Sequence, residues 1–266
     1  MANPKVKYVR RLQSDRRFRA REKAFVIEGT RWLTELVQWV KSPQLILYTK
    51  DWLNTADNGD ILQQLDAPAQ PVSDEVMAAM SATTTPPGVL AIVPIHARPL
   101  PDTSSLLLIL DRVKTPGNLG TMLRTAAAAG VDGVLLAPGC VDPYNPKVVR
   151  GSMGALLRLP VQQAEWPEIA EKAADMKVWL AAADGDVSYT AVNWRQPSAL
   201  IIGSEAWGAG DEAQQVASGR VAIPMYAATE SLNAAVAAGV ILFEAVRQRT
   251  TGDGRPVTDD TPTSPV

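Results

Sequence analysis

The chain has one cysteine, Cys140, and one histidine, His96, in 266 residues. A lone cysteine excludes a disulfide framework, and without a Cys/His cluster no metal site is expected. A single histidine, set in a proline-containing linker, gives no basis for histidine-driven acid–base chemistry. No run approaches the ~18 apolar residues of a membrane span. The N-terminus is basic and lacks the apolar core of a secretory signal. Together these absences read as a cytoplasmic protein that uses neither membrane nor metal. The loop after residue 111 lacks the G-x-G-x-x-G dinucleotide fingerprint, and no G-x-x-x-x-G-K-[ST] phosphate loop occurs.

What is present is uneven charge. Residues 1–31 hold ten Lys or Arg against three acids, a net +7; the whole chain is at −2, so the remainder carries −9. A basic segment on an acidic body suits one end meeting a polyanion, or simply a solvated basic helix. Residues 5–24 read as that helix. "AFVIEGTRWLTELVQWV" then gives a strand and an amphipathic helix with Leu33, Leu36, Val37 and Val40 on one side. Strands at 44–49 and 88–95, with a Ser73-capped helix between them, complete a small α/β unit over residues 1–95. Residues 96–104 read as a linker.

A second series fills 105–249. "LLLILD" (106–111) is continuously apolar, as strands buried on both faces are. Further strands are expected at "GVLLA", "KVWLAAA", "SALIIG" (198–203) and "RVAIPM" (220–225). Helices are expected after residue 119, over "PKVVRGSMGALLRL", and over "NAAVAAGVILFEAVRQR". Residues 250–266 are poor in apolar side chains and read as a disordered tail. Strands alternating with helices imply an α/β fold with a parallel sheet, whose ligands bind off the carboxyl ends of the strands. Three loops occupy such ends. "TPGNLGTMLRTAAAAG" holds Asn118 and Arg124; "LIIGSEAWGAG" holds Gly203 and Glu205; "IPMYAATESLNAAVAAG" precedes a helix of very small residues. Each alone also reads as a capped turn with a solvated charge, with Asn118, Ser231 or Asn233 as cap.

Taken in order, the three stretches resemble the signature motifs of the SpoU (TrmH) class of RNA 2′-O-ribose methyltransferases, in the SPOUT superfamily. The resemblance is strong over roughly 104–248. It is weaker over 5–95, which resembles a ribosomal-protein-like RNA-binding domain. It implies a parallel-sheet domain threaded into a deep trefoil knot, an exception to the usual rule against knots. It also implies S-adenosylmethionine as cofactor and a homodimer whose sites draw on both copies. By this likeness Gly203, Ile223, Met225 and Leu232 hold the cofactor, and Asn118, Arg124, Glu205, Ser231 and Asn233 form the catalytic shell. Arg10, Arg11, Arg16, Arg17, Arg19 and Arg150 are the expected RNA-binding residues, with Ser152 beside them. A ribose hydroxyl is a weak nucleophile, so a helper is needed, and Arg124 is the leading candidate. Ribosomal RNA is the favoured substrate. Transfer RNA, a resistance methylase acting on ribosomal RNA, and a non-catalytic RNA-binding or assembly factor are the alternatives. The second motif departs from the family pattern, with Ala206 and Trp207 after Glu205; Trp207 either stacks on a base or packs.

Overall fold

The computed structural model describes residues 3–39, 42–55, 57–204, 208–226 and 231–253. In chain order the elements are α1 (Pro4–Ser14), α2 (Arg16–Glu22), β1 (Ala24–Glu28), α3 (Thr30–Gln38), β2 (Leu45–Tyr48), α4 (Lys50–Leu53), α5 (Asn58–Gln64), β3 (Ala69–Pro71), α6 (Asp74–Met80) and β4 (Val89–Pro94). They continue with β5 (Leu106–Leu110), α7 (Pro116–Ala128), β6 (Gly133–Leu136), α8 (Pro146–Ser152), α9 (Ala155–Arg158), β7 (Val161–Gln163) and α10 (Trp166–Lys172). Last come β8 (Lys177–Ala181), β9 (Val187–Ser188), β10 (Ser198–Ile202), α11 (Asp211–Val216), β11 (Gly219–Ala222) and α12 (Ala234–Asp253). The described residues fall into two compact units. The first lies within 1–99, 114–124 and 141–162, the second within 100–113, 125–140 and 163–266.

The first unit is built on a four-stranded sheet, β1-β4-β2-β3. β4 runs antiparallel to β1 and β2, and β3 parallel to β2. Successive side chains of a strand face opposite ways. On β1, Phe25 and Ile27 pack with Trp32, Leu33 and Leu36 of α3, while Ala24 and Val26 pack with Val9, Leu12 and Phe18 of α1 and α2. Both faces are covered, which is why β1 and β4 read as unbroken apolar runs. Each buried Leu or Ile is worth about 1.5–3 kcal/mol relative to exposure.

Two expected helices are each broken. The basic helix of residues 5–24 is two helices, because Asp15 adopts extended backbone (φ −116°, ψ 108°) and accepts the Phe18 N–H at 3.0 Å. Asp side chains compete with helix propagation in this way. The helix over 146–159 stops at Ser152 and restarts at Ala155, with Met153 and Gly154 at positive φ. The cause is remote in sequence. The Glu35 carboxylate packs where a Gly154 Cβ would stand, 2.7 Å from Cδ, and pairs with Arg158 Nη1 at 2.5 Å.

The second unit is built on a seven-stranded sheet in the order β7-β6-β5-β10-β8-β11-β9. The pairings from β6 through to β9 are parallel. All five residues of β5 and of β10 are buried. Leu107, Ile109, Leu135, Leu180 and Ile201 pack with Ile169 of α10 and Ala213 of α11. α12 buries Ala235, Ala238, Ile241, Leu242 and Ala245. The helix runs to Asp253, past the expected start of a tail at residue 250; residues 254–266 and Val40 lie outside the described residues. The strand expected over 220–225 ends at Ala222, which frees the chain from Ile223 onward to line the site.

Candidate active site

The second unit carries a cavity of about 630 Å3 at the carboxyl ends of β8, β10 and β11. Four chain segments wall it. Ala181–Asp184 leave β8; Gly203, Ser204, Gly208 and Ala209 leave β10; Ile223 and Met225 leave β11; Ser231, Leu232 and Asn233 lead into Ala234, Ala237 and Ile241 of α12. The strand-end rule for parallel sheets places a ligand there.

Each wall has a local cause. Gly203 directly follows β10, and just past it Ser204 and Gly208 exchange backbone hydrogen bonds at 2.9 Å. A Cβ on Gly203 would stand 2.5 Å from Ala209 N and 2.5 Å from Gly208 C, so the position accepts only glycine undistorted. Asn233 caps α12, its Oδ1 accepting the Ala235 N–H at 2.9 Å and the Val236 N–H at 3.3 Å. Ala234 and Ala237 then present little bulk to the cavity. The small-residue helix is thus explained: its first turns form a cavity wall.

Gly203, Ile223, Met225, Ser231, Leu232 and Asn233 therefore meet at one cavity. Glu205 and Trp207 lie outside the described residues. Asn118, Arg124 and Arg150 belong to the first unit. Asn118 sits inside the first turn of α7, which starts at Pro116 rather than after residue 119, so it is not the cap. Arg124 is exposed and Arg150 half-buried. α7 and α8 approach closely at Gly120, whose Cβ would stand 2.9 Å from Gly151 Cα.

Of the basic N-terminal residues, Arg10, Arg11, Arg16 and Arg17 are exposed. Arg11 and Arg21 lie over the Phe18 ring, 4.4 and 4.7 Å from its centroid. Arg19 is a correction. It is 4% exposed, its Nε and Nη2 donate to Asp142 Oδ2 at 2.8 and 2.6 Å, and its Nη1 donates to the carbonyls of Leu12 and Gln13. With these donors spent internally, Arg19 is held within the unit and, unlike Arg10, Arg11, Arg16 and Arg17, is not exposed.

Sequence reasoning also missed charged groups at the cavity. Asp184 and Arg220 line it as an ion pair, and the hydrogen bond from Arg220 holds the Asp184 carboxyl below its usual range. The signal was the Asp-Gly turn ending "KVWLAAADG", a fourth strand end. Among the described residues no group of three or more His, Cys, Asp or Glu is placed to hold a metal ion.

The donor set fits an adenosyl group. The volume lies within the ~300–1,000 Å3 of small-molecule sites. Ile202, Ile223, Leu232 and Ile241 offer apolar walls, while main chain past the β11 ladder and the Ser204 and Ser231 hydroxyls offer polar contacts.

Comparison with known proteins decides the family. Residues 105–243 match the SpoU rRNA Methylase family, over half of the chain, and residues 3–91 match the MRM3-like substrate binding domain. The chain belongs to the SpoU rRNA methylase family. As a SpoU protein it is 37% identical to an uncharacterized tRNA/rRNA methyltransferase of Synechocystis, covering 93% of this chain and 92% of the relative. It is 32% identical to the 23S rRNA (guanosine(2553)-2′-O)-methyltransferase RlmP of Bacillus subtilis, covering 91% and 95%. The crystal structure of the SpoU methyltransferase AviRb from Streptomyces viridochromogenes with its cofactor AdoMet superposes with a TM-score of 0.86 at 28% identity, covering 94% of this chain and 100% of that one. The residues that line the cavity lie within the SpoU match.

Proposed function

We propose that the protein transfers a methyl group from S-adenosylmethionine to a ribose 2′-hydroxyl of ribosomal RNA, working in the cytoplasm as a homodimer with a trefoil-knotted catalytic domain. The carrying observation is the single cavity that gathers Gly203, Ile223, Met225, Ser231, Leu232 and Asn233 past the ends of β10 and β11, in a chain similar over nine-tenths of its length to a protein named as a 23S rRNA 2′-O-methyltransferase. Ribosomal RNA is favoured over transfer RNA by coverage. A solved structure titled for methylation of C/U34 on tRNA matches only 56% of this chain, with a TM-score of 0.51. The segment matching the MRM3-like substrate binding domain, with the exposed Arg10, Arg11, Arg16 and Arg17, then grips RNA through phosphates.

When bound, the cofactor supplies a sulfonium methyl, an electrophile needing only an aligned oxygen. The chain's own residues do the rest. Main-chain groups at Gly203, Ile223 and Leu232 hold the adenosine, and Met225 packs beside it. Asn233, through its helix-capping contacts, fixes the start of α12 and so the Leu232 backbone. Arg124 presents a fork of N–H donors and no acceptor. It therefore acts by holding the neighbouring phosphate and orienting the hydroxyl, with Asn118, Ser231 and Glu205 completing the polar shell; alignment of this kind supplies much of the rate. Arg150 is an RNA-phosphate contact. The homodimer is supported by apolar side chains left exposed around the site: Tyr226 at 92%, Val236 at 51% and Phe243 at 50%. Cytoplasmic placement rests on the single, buried thiol of Cys140 and on the absence, among the described residues, of a helix long and apolar enough to cross a membrane.

The test is direct. Purified protein with S-adenosylmethionine should yield 2′-O-methylated nucleosides from ribosomal RNA by mass spectrometry, and none from transfer RNA. Product from transfer RNA alone would reverse the substrate assignment.

A further inference from the structure

Four described non-glycine residues have positive φ: Lys23, Asp57, Arg112 and Met153. Lys23 and Met153 close helices as C-caps, where such backbone is routine, and Asp57 is of a residue type that visits it readily. Arg112, at φ +54°, follows the buried strand β5 instead. Left-handed backbone costs any L-residue, and it persists where the surroundings over-determine it.

The surroundings here are two glycines and an acid. The stem of Arg112 lies against Gly139, where a Cβ would stand 3.0 Å from Arg112 Cγ. Its guanidinium lies over Gly210, where a Cβ would stand 2.9 Å from Nη2 and 3.0 Å from Cζ. Asp111, 2% exposed, accepts the Gly210 N–H at 2.7 Å, and its Oδ2 is 3.4 Å from Arg112 Nε. β6, β5 and β10 are neighbours in the sheet, so one side chain spans the loops leaving three adjacent strands. Gly210 directly follows Gly208 and Ala209, which line the cavity, whereas neither Gly210 nor Arg112 does.

We propose that Arg112 is a positioning residue that pins the Gly208–Gly210 wall from behind, so that the cavity keeps the shape its nucleoside ligand requires. The proposal rests on the S-adenosylmethionine reading of the cavity. Glycine at 112 would relieve the backbone cost and remove the pin together, which separates positioning from general stability.

The experiment compares wild type, Arg112→Gly, Gly210→Ala and the double variant by thermal melting, calorimetric titration with S-adenosylmethionine, and amide hydrogen exchange over residues 208–213. Arg112→Gly should melt at or above the wild-type temperature, bind about tenfold more weakly, and exchange the Gly210 amide faster. Gly210→Ala, whose backbone (φ −76°) admits alanine, should displace the guanidinium and weaken binding similarly. The double variant should bind no worse than Arg112→Gly alone, because both changes remove one coupling. Wild-type affinity and exchange in Arg112→Gly, additive losses in the double variant, or a loss of affinity accompanied by a lowered melting temperature would each overturn the proposal. Wild-type protein that fails to bind S-adenosylmethionine would overturn the functional reading instead, while the exchange and its coupling still judge the pin.

Discussion

Gly203→Ala tests the cavity at its tightest point. The added methyl would meet three backbone atoms, Ala209 N and Gly208 C at 2.5 Å and Gly208 O at 2.8 Å. No side chain can swing away to relieve this, so the 208–209 peptide must retreat by roughly 1 Å to reach ordinary contact distance. That peptide adjoins the Ser204–Gly208 pairing, held by two backbone bonds of 2.9 Å, and it is cavity wall. Displacing it forfeits one or two ligand contacts at about 1–1.5 kcal/mol each, a 10- to 100-fold rise in the dissociation constant for S-adenosylmethionine. Calorimetric titration with S-adenosylmethionine and S-adenosylhomocysteine measures this, with circular dichroism confirming the fold. Gly59→Ala is the control, since a Cβ there meets nothing within 4 Å. A folded Gly203→Ala protein that binds both ligands as tightly as wild type would show that the wall at Gly208 and Ala209 does not shape the site.

Four further outcomes are expected. Arg124→Ala should lower methyl transfer by about 10²–10⁴-fold with cofactor affinity intact, because its proposed work is orientation; single-turnover assays separate the two. Arg19→Ala should cost about 3–5 kcal/mol by leaving the buried Asp142 carboxylate unpaired, seen as a lower denaturation midpoint, while an unchanged midpoint would restore Arg19 as a candidate RNA ligand. Neutralising Arg10, Arg11, Arg16 and Arg17 together should flatten the salt dependence of RNA binding, by roughly 0.7–0.9 in log–log slope per lost phosphate contact. Glu244 is held down to about 2 by hydrogen bonds from Arg247 and then Gln248 and by the Arg247 charge, against an opposing burial cost. Its folded value lies below the unfolded 4.5, so its stabilisation is present above 4.5 and lost as pH falls toward 2. Glu244→Gln should therefore melt lower than wild type at pH 7, with the gap closing across that window.

How much was legible in the chain follows from the range of the forces involved. β5 and β10 announced themselves because strands buried on both faces are apolar throughout. The loops at their ends were legible for the same reason: once the strands are set, the loops must lie at one edge of the sheet. The Asp15 break was local and readable as a helix cap. The break at Gly154 was not, because its cause, Glu35, is over a hundred residues away. Arg19 looked like its solvated neighbours for the same reason, its partner Asp142 being 123 positions distant. β9, with two residues, and β3 and β7, with three each, carry too few side chains to show a period. Asp111 and Arg112 stood in plain sight after an apolar strand, but only coordinates reveal that Arg112 is left-handed and lies across Gly210.

The central claim is that this cavity delivers a methyl group to a ribose oxygen of ribosomal RNA. Alkaline-cleavage mapping of ribosomal RNA from cells with and without this protein measures it most directly, since a 2′-O-methyl group blocks cleavage at its own linkage. One protected linkage should become cleavable when the protein is absent and regain protection when the wild-type chain, but not Arg124→Ala, is restored. Identical cleavage patterns with and without the protein would contradict the account.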